Sequence, residues 1–327
     1  MKASGGSSER FSLFLVMPVP FRIIDWYDYG FPECWKMIDF KMTDINDGVV
    51  PIYKYYEKLM HFMLKFDLPD EETSYACASI LLTMAIWRTN KQIFVFYKEM
   101  LEVLFEQKPD FNIPTEILNQ LPYPCIYFDL NGFDNLEGML VVKEEHEDGR
   151  KGLRFHLLAQ IFYADAWFEL CDSKSIQNQI DKLEAPKKKI MGKIIQCLLY
   201  VCCTNAKIEE DSEQKKRYRA PSSENYIKDK IREARIWNCG EKEPKIIYSE
   251  FGEYPQICSH EVVKHRRGQK GHIKRCHVRK SHWHHYWIGS AKDGTRKLEL
   301  RWINAMTINK ENYTESSVVK MNNVYVS

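Results

Sequence analysis

The first third of the chain carries apolar and aromatic residues at helical spacing. After Pro51, the segment 52–66 places them three or four positions apart, as in an amphipathic helix with one face in a core. A second helix is predicted over residues 70–90, whose first turn is acidic as the helix dipole favours, and a third over residues 92–106. We therefore predict a mainly helical region over residues 1–120.

After residue 120 the pattern changes to short apolar and aromatic runs bounded by turn residues. Residues 121–130, 136–142 and 152–162 each predict a strand, and the charged sequence KEEHEDGRKG predicts a hairpin turn between the last two. Three strands in succession favour an antiparallel meander over alternating parallel units. Residues 187–203 return to helical spacing and are strongly apolar, which predicts a buried helix. These elements form a second region, residues 121–206.

The next segment is charged. Residues 207–223 end in Pro-Ser-Ser and predict an exposed linker or loop, which precedes a His- and Trp-rich C-terminal region over residues 224–327. Within that region, residues 225–238 predict a helix and residues 245–248 a short strand.

Strict alternation predicts a β-hairpin near the C-terminus. Residues 277–288 alternate their side chains between two faces of a strand, residues 289–294 begin and end with glycine and suit a turn, and residues 297–303 return as the partner strand. The predicted fold class is α+β: a helical N-terminal part, antiparallel strands plus a buried helix in the middle, and a basic C-terminal β-hairpin.

Composition is typical of a globular protein. Of 327 residues, 44% are hydrophobic and 28% are charged. The ten cysteines are scattered without a C-x-x-C pair, which favours free thiols in a reducing cytoplasm over a disulfide framework. The early apolar run FSLFLVMPVPF is short and broken by prolines, so we expect a strand or an extended arm rather than a signal peptide. No run of about 18 apolar residues occurs, and we expect no membrane span.

Charge is distributed unevenly along the chain. The net charge is +2, but residues 264–301 hold twelve Lys or Arg against two acids, so that segment carries +10 and the remainder, with 35 basic and 43 acidic residues, carries −8. Such asymmetry points to an anionic partner, either nucleic acid or an acidic protein surface. The alternative is that the basic segment pairs with the acidic remainder of the same chain.

The segment HVRKSHWHHYWIGSAKDGTRKLELRW, residues 277–302, resembles the C-terminal signature of a type V-A anti-CRISPR family. The matching residues are His277, Arg279, His282, Trp283, His284, Tyr286, Trp287, Gly289, Arg296, Lys297, Arg301, Trp302 and Asn309. Weaker similarity lies in residues 121–130 and 194–203. One departure follows the Arg-Trp pair, where the family pattern has prolines and this chain reads INAM.

The resemblance implies an inhibitor rather than an enzyme. Members of that family reduce production of the type V-A CRISPR effector nuclease. The resemblance implies recognition of the effector's N-terminal polypeptide as it is made, followed by loss of its mRNA. It thus implies that peptide as partner, with the ribosome and mRNA as further candidates. We expect action in the cytoplasm of a bacterial host, origin in a phage or plasmid, and no cofactor, catalytic residue or membrane association.

Two groups of residues are predicted to bind the partner. The hairpin group, for peptide or RNA, comprises His277, Arg279, His282, Trp283, His284, Tyr286, Trp287, Arg296, Lys297, Arg301 and Trp302. The basic arm comprises Lys264, Arg266, Arg267, Lys270, Lys274 and Arg275. Basic side chains would neutralise phosphates, and exposed aromatic rings would stack on bases or hold a peptide. We expect at least one hairpin tryptophan in the core, because three exposed ones would invite aggregation.

Two chemical alternatives are weaker. Seven of the ten histidines lie between His260 and His285, close to Cys258 and Cys276, and zinc uses such ligands. Their spacing matches no standard zinc finger, however, and we assign no metal site. An RNase would use imidazoles near neutral pH, but the segment offers no carboxylate pair for metal-dependent phosphodiester chemistry. RNA- or ribosome-binding regulation of another target is the main alternative, and RNase activity is third.

Overall fold

The computed structural model describes residues 20–24, 38, 44–45, 48–63, 70–107, 109–130, 132–158, 163–211, 234–240, 277–279, 281–304 and 306–308. The chain divides into two compact units, Met1–Gly240 and Glu241–Ser327. Together their elements make a mixed α+β protein, and this confirms the predicted fold class. No helix among the described residues combines the length and apolarity that crossing a bilayer requires.

In its described part the first unit contains eight strands and five α-helices with defined bounds, and residues 20–24 are also helical. The helices are α1 Tyr53–Met63, α2 Glu71–Asn90, α3 Lys98–Glu106, α4 Ile176–Asp181 and α5 Ala185–Val201, with 3-10 helices at Thr115–Gln120 and Phe133–Asn135. The strands are β1 Val50–Pro51, β2 Gln92–Phe96, β3 Cys125–Asp129, β4 Gly138–Glu145, β5 Lys151–Leu158, β6 Tyr163–Glu169, β7 Ile208–Glu210 and β8 Arg235–Cys239.

These eight strands form one mixed sheet. Its order is β6-β5-β4-β3-β2-β8-β7, and the short β1 pairs in parallel with the end of β4. From β3 to β6, successive strands are antiparallel to one another. Strands β3, β4 and β5 confirm the predicted meander and its charged turn, and β6 adds a fourth strand that was not predicted. Strand β2 is parallel to both β3 and β8, so it joins the meander to the other half of the sheet.

The predicted helix over residues 92–106 is wrong in its first third, because Gln92–Phe96 is strand β2. All five residues of β2 are buried, with apolar side chains directed to both faces. A short apolar run that is covered on both faces has no alternation to distinguish it from a buried helix. The helix begins instead at Lys98.

Two other predicted segments also contain strands in the structure. The predicted helix over residues 225–238 is strand β8 from Arg235 onward, because this segment pairs along its whole length with β2; residues 225–233 lie outside the described residues. The predicted linker over residues 207–223 begins with β7, which pairs with β8 at the edge of the sheet. Residues 212–223 and the predicted strand 245–248 lie outside the described part of the chain.

Helices cover both faces of the sheet. Helices α1 and α2 pack on the face that carries Ile93, Tyr127 and Val142. On the opposite face, Phe96 lies against Tyr200 of α5, with ring centroids 6.1 Å apart. The predicted buried helix over residues 187–203 is confirmed, with its apolar residues enclosed between the sheet and neighbouring helices. Burial of this kind is the main favourable contribution to folding.

The seven cysteines within the described residues are all free thiols. Burial raises the pKa of Cys125, Cys197 and Cys202, so these thiols are protonated and behave as small apolar side chains.

Polar groups lie within the face that α2 covers. The Nε2 atom of His156 on β5 lies 2.8 Å from Oγ1 of Thr83 on α2, and His156 is fully buried. Burial, and to a smaller extent the positive charge of Arg154, lowers the pKa of His156 to about 3. The imidazole is therefore neutral in the folded protein at every pH near neutrality.

This buried imidazole should make stability depend on pH. The unfolded chain takes up a proton at His156 below its ordinary pKa of 6.5, whereas the folded chain does so only near pH 3. The contribution of neutral His156 to the free energy of unfolding is therefore fully present above pH 6.5, and it is lost as the pH falls from there towards 3. The loss amounts to at most about 1.4 kcal/mol per pH unit.

The substitution His156→Gln should remove this part of the pH dependence. Urea unfolding measured between pH 7.5 and 5 is expected to give a shallower decline in unfolding free energy for His156→Gln than for the parent protein. His61→Gln, at an exposed position of α1, is the matched control and should keep the parent's slope. An unchanged slope in His156→Gln would contradict the assignment.

Candidate binding surface on the C-terminal hairpin

The described part of the second unit is a β-hairpin. Strand β10, His282–Ile288, pairs antiparallel with β11, Lys297–Ile303, in a register that opposes Trp283 to Trp302. Strands β9, His277–Arg279, and β12, Met306–Ile308, extend it. From the pair Arg279–Met306 to the pair His282–Ile303, each strand advances by three residues, so both sets of pairs share one register. Ile303 and Met306, the first and last residues of the INAM sequence, are thus both paired in the hairpin, where a proline would remove a ladder hydrogen bond.

The turn explains why this sequence folds back where it does. Gly289 and Gly294 have φ angles of 84° and 66°, a region that favours glycine. A Cβ atom on Gly289 would lie 2.3 Å from the carbonyl oxygen of Thr295. The backbone N–H of Ser290 donates to Oγ1 of Thr295 at 3.0 Å, and the N–H of Thr295 donates to the Ser290 carbonyl at 3.1 Å. The predicted hairpin and its turn are confirmed.

One face of the hairpin is largely buried. Leu300 and Trp302 are 0% and 3% exposed, and Trp283 is half-buried opposite them. The rings of Trp283 and Trp302 meet edge to face with centroids 4.7 Å apart, an arrangement that adds to the stabilisation from burial. The expectation that at least one of the three tryptophans is in the core is therefore confirmed.

The other face presents a cluster of aromatic and charged side chains. His284 stacks on Tyr286 with ring centroids 4.2 Å apart, and both side chains are exposed. The guanidinium of Arg301 lies 5.3 Å from the Tyr286 ring, and its Nε donates to the carboxylate of Glu299 at 2.6 Å. These contacts fix the Tyr286 ring and leave part of its face open to solvent.

A second cation–aromatic pair lies at the turn. Trp287 is 55% exposed, and the guanidinium of Arg296 lies 4.6 Å from the centre of its ring. Trp287 points to the same side as Trp283, but next to the turn that side is not covered. The hairpin thus holds two exposed aromatic side chains, Tyr286 and Trp287, each beside an arginine, an arrangement suited to bases, peptide side chains or other flat groups.

The remaining predicted binding residues fall into three groups: those accessible on the strands, those that hold the hairpin together, and those outside the described part of the chain. Arg279 and Lys297 are exposed on the strands, and His282 is half-buried. Trp283 and Trp302 hold the hairpin together through their mutual contact. The side chain of His277 lies outside the described residues. The whole basic arm is outside them too: Lys264, Arg266, Arg267, Lys270, Lys274 and Arg275.

Potential metal ligands do not converge within the described residues, where no three His, Cys, Asp or Glu side chains form a group able to hold an ion. His282 and His284 lie on one face of β10 and His285 on the other, as alternation predicts. Cys258, Cys276, His260, His265 and His272 lie outside the described part.

Sequence reasoning missed a cavity in the first unit. Its volume is about 260 Å³, and it lies between α1, α2 and the β4–β5 hairpin. Its walls include Tyr53, Tyr75, Glu144 and Arg154. These residues belong to segments that are far apart in the sequence: Tyr53 and Tyr75 lie in two predicted helices, Glu144 in the predicted charged turn and Arg154 in the predicted strand after it. No local pattern links them.

Comparison with known proteins relates the chain to one family. The model of the AcrVA2-like anti-CRISPR type V subtype A2 family matches residues 94–310, two thirds of the chain. The match begins upstream of residue 121, where the sequence resemblance began, and includes the whole hairpin. The crystal structure of AcrVA2 is similar with a TM-score of 0.62 and 17% identity, over 88% of this chain and 98% of that chain. At this identity it shows a shared fold. No curated protein matches the chain.

The two kinds of tryptophan in the hairpin should respond differently to removal. Trp302→Ala leaves a cavity in the covered face and should cost about 3–5 kcal/mol of local stability, whereas Trp287→Ala, at an exposed position, should change it by no more than about 0.5 kcal/mol. Hydrogen–deuterium exchange of peptides within residues 281–304 reports local opening. We expect exchange at least about 100-fold faster in Trp302→Ala and near-parental exchange in Trp287→Ala. Equal effects would show that the faces are assigned wrongly.

Proposed function

The chain belongs to the anti-CRISPR type V subtype A2 family, and from this premise we propose that it lowers production of a type V-A CRISPR effector nuclease by recognising the effector's nascent N-terminal polypeptide. Loss of the effector's mRNA follows recognition. The protein acts by binding, in the cytoplasm of a bacterial host, and a phage or plasmid carries it. No catalytic residue or cofactor takes part in this proposal.

The exposed pair Tyr286 and Trp287 is the observation that carries the proposal. Exposed apolar patches that are rimmed by polar residues often mark interaction sites. Here Arg301 and Arg296 hold the two rings in place, so little side-chain entropy is lost when a partner binds. Aromatic residues and arginine are also the residues that most often dominate the binding energy of protein interfaces.

The hairpin also offers main-chain hydrogen bonds. Within the described residues, β10 and β11 pair only with each other. An extended peptide would add as a further strand of this hairpin. Backbone pairing would supply affinity without regard to sequence. Tyr286, Trp287 and the exposed guanidinium groups would then select among side chains. The basic arm, residues 264–275, would add attraction to ribosomal RNA near the peptide exit.

Binding to a synthetic peptide of the effector's first residues tests this proposal directly. Trp287→Ala should weaken binding by at least about tenfold, since an interface tryptophan commonly contributes that much or more. Arg279→Ala, at an exposed position of β9, should also weaken it. Lys292→Ala, on the exposed turn, is the control and should bind normally. A scrambled peptide should not bind, and equal binding of the two peptides would refute sequence-specific recognition.

The cellular consequence is tested by following the effector's message and protein. Expression of the full chain should lower both, and Trp287→Ala should abolish the effect without changing the level of the inhibitor. Replacing the effector's first codons with synonymous ones should leave the effect intact, because the polypeptide and not the RNA sequence is recognised. Unchanged message and protein levels with the parent chain would disprove the proposal.

RNA binding is the second candidate function, favoured by the same two cation–aromatic pairs. Bases stack on exposed rings, and arginines neutralise phosphates. Salt-sensitive binding of RNA, together with no binding of the effector peptide, would identify the protein as an RNA- or ribosome-binding regulator with a different target. Cleavage of labelled RNA by purified protein, lost in His282→Ala and His284→Ala, would instead establish the RNase that ranks third.

A further inference from the structure

The cavity in the first unit has aromatic side chains at its entrance. Tyr53 of α1 and Tyr75 of α2 line it and are 41% and 38% exposed. Only four large hydrophobic or aromatic side chains are exposed to this degree in the described residues, and the other two are on the hairpin. The ring of Tyr56, which also lines the cavity, lies 5.2 Å from that of Tyr75 at 58°. Three tyrosines thus surround one opening.

The charged groups in the cavity leave it net negative. Nε of Arg154 lies 3.0 Å from both carboxylate oxygens of Glu144, and another guanidinium nitrogen lies 2.8 Å from one of them. Asp165 lies 3.4 Å from the same guanidinium. The charge of Arg154 is therefore already compensated by two carboxylates. Glu147, which is exposed at the entrance, makes no ion pair within the described residues and adds a further negative charge.

The ion pair also fixes the shape of the cavity. Glu144 is 1% and Arg154 7% exposed, so both are held by their mutual hydrogen bonds rather than by water. The imidazole of His146 lies 3.0 Å from Glu144 and closes one side. A buried charge pair with this many hydrogen bonds resists rearrangement, because breaking it leaves a charge uncompensated. The cavity is therefore present before any ligand arrives.

The volume of the cavity limits the size of the ligand that it can hold. A volume of about 260 Å³ is below the usual range of about 300–1,000 Å³ for sites that enclose drug-sized molecules. It suits one long side chain or a small amine. Tyrosine faces attract cations through their ring quadrupoles. The excess of carboxylates over basic groups also favours a cation over an anion. Among the described residues that line the cavity, an anion would meet Glu147 and no uncompensated positive charge.

We propose that this cavity binds an organic cation, the ammonium or guanidinium group of a lysine or arginine side chain or of a free amine. The charged group lies among the rings of Tyr53, Tyr56 and Tyr75 and is directed towards Glu147 and Glu144. The site is independent of the hairpin and does not rest on the proposed recognition of an effector peptide.

Titration of the full-length protein with small ligands, followed by isothermal calorimetry, tests the assignment. The ligands are capped lysine, capped arginine and two neutral isosteres, capped norleucine and capped citrulline. The two cations should bind at least about fivefold more tightly than their isosteres, as expected for a cation between aromatic faces. Equal binding of a cation and its neutral isostere would overturn the proposal.

Variants at exposed positions separate the site from the fold. Tyr75→Ala and Glu147→Gln should each weaken capped lysine binding by at least about fivefold. Tyr286→Ala, which removes a tyrosine of equal exposure from the hairpin, and Glu106→Gln, at an exposed position of α3, are matched controls and should bind normally. Equal weakening by the controls, or none by Glu147→Gln, would also overturn the proposal.

The source of the cation is resolved by two further ligands. If a peptide side chain is the natural occupant, Ala-Lys-Ala with capped ends should bind more tightly than n-butylamine, because backbone contacts outside the cavity add to the binding. Equal affinities would indicate a free amine, and both results support a cation site. Binding of neither ligand would reject it. Because no effector sequence is used, failure here would leave the hairpin proposal untouched, and failure of that proposal would not affect this site.

Discussion

Burial of strand β2 on both faces is the constraint on which the first unit depends. β2 is the only described strand that is parallel to two neighbours, and it connects the meander of β3 to β6 with β8 and β7. Its Phe94 and Phe96 face one helical layer, and Ile93 and Val95 face the other. A parallel strand in this position needs a helical layer on each side. The helices before β2 and those after it supply the two layers.

That doubly covered sheet also accounts for the polar region beside α2. On the face that α1 and α2 cover, the apolar residues of β2 and β3 give way towards the β4–β5 turn to Glu144 and Arg154. Compensated charges replace a purely apolar core there, at a cost in desolvation that the hydrogen bonds offset only when all partners are present. The result is a rigid, polar cavity in a unit whose centre is otherwise apolar.

Alternation along the hairpin separates structural from accessible aromatic residues. Trp283 and Trp302 are cross-strand partners on the covered face, whereas His284 and Tyr286 point the other way. Trp287 shares the covered side by alternation but lies next to the turn, where it is exposed and Arg296 packs on it. A sequence signature of this kind therefore mixes residues that hold the fold with residues that can meet a partner, and mutation of the whole signature would not distinguish them.

Local sequence patterns alone were sufficient to predict helices α1, α2 and α5, the first three strands of the antiparallel meander, and the hairpin with its glycine turn, whose residues also carry the family resemblance. Strands β2 and β8 depend on the packed fold, because a short apolar run acquires its strand conformation from neighbours distant in the chain. The same holds for the cavity, where Tyr53, Tyr75 and Arg154 come together from segments that show no common pattern. Local spacing encodes which face of an element is apolar, but the juxtaposition of distant polar side chains arises only from packing.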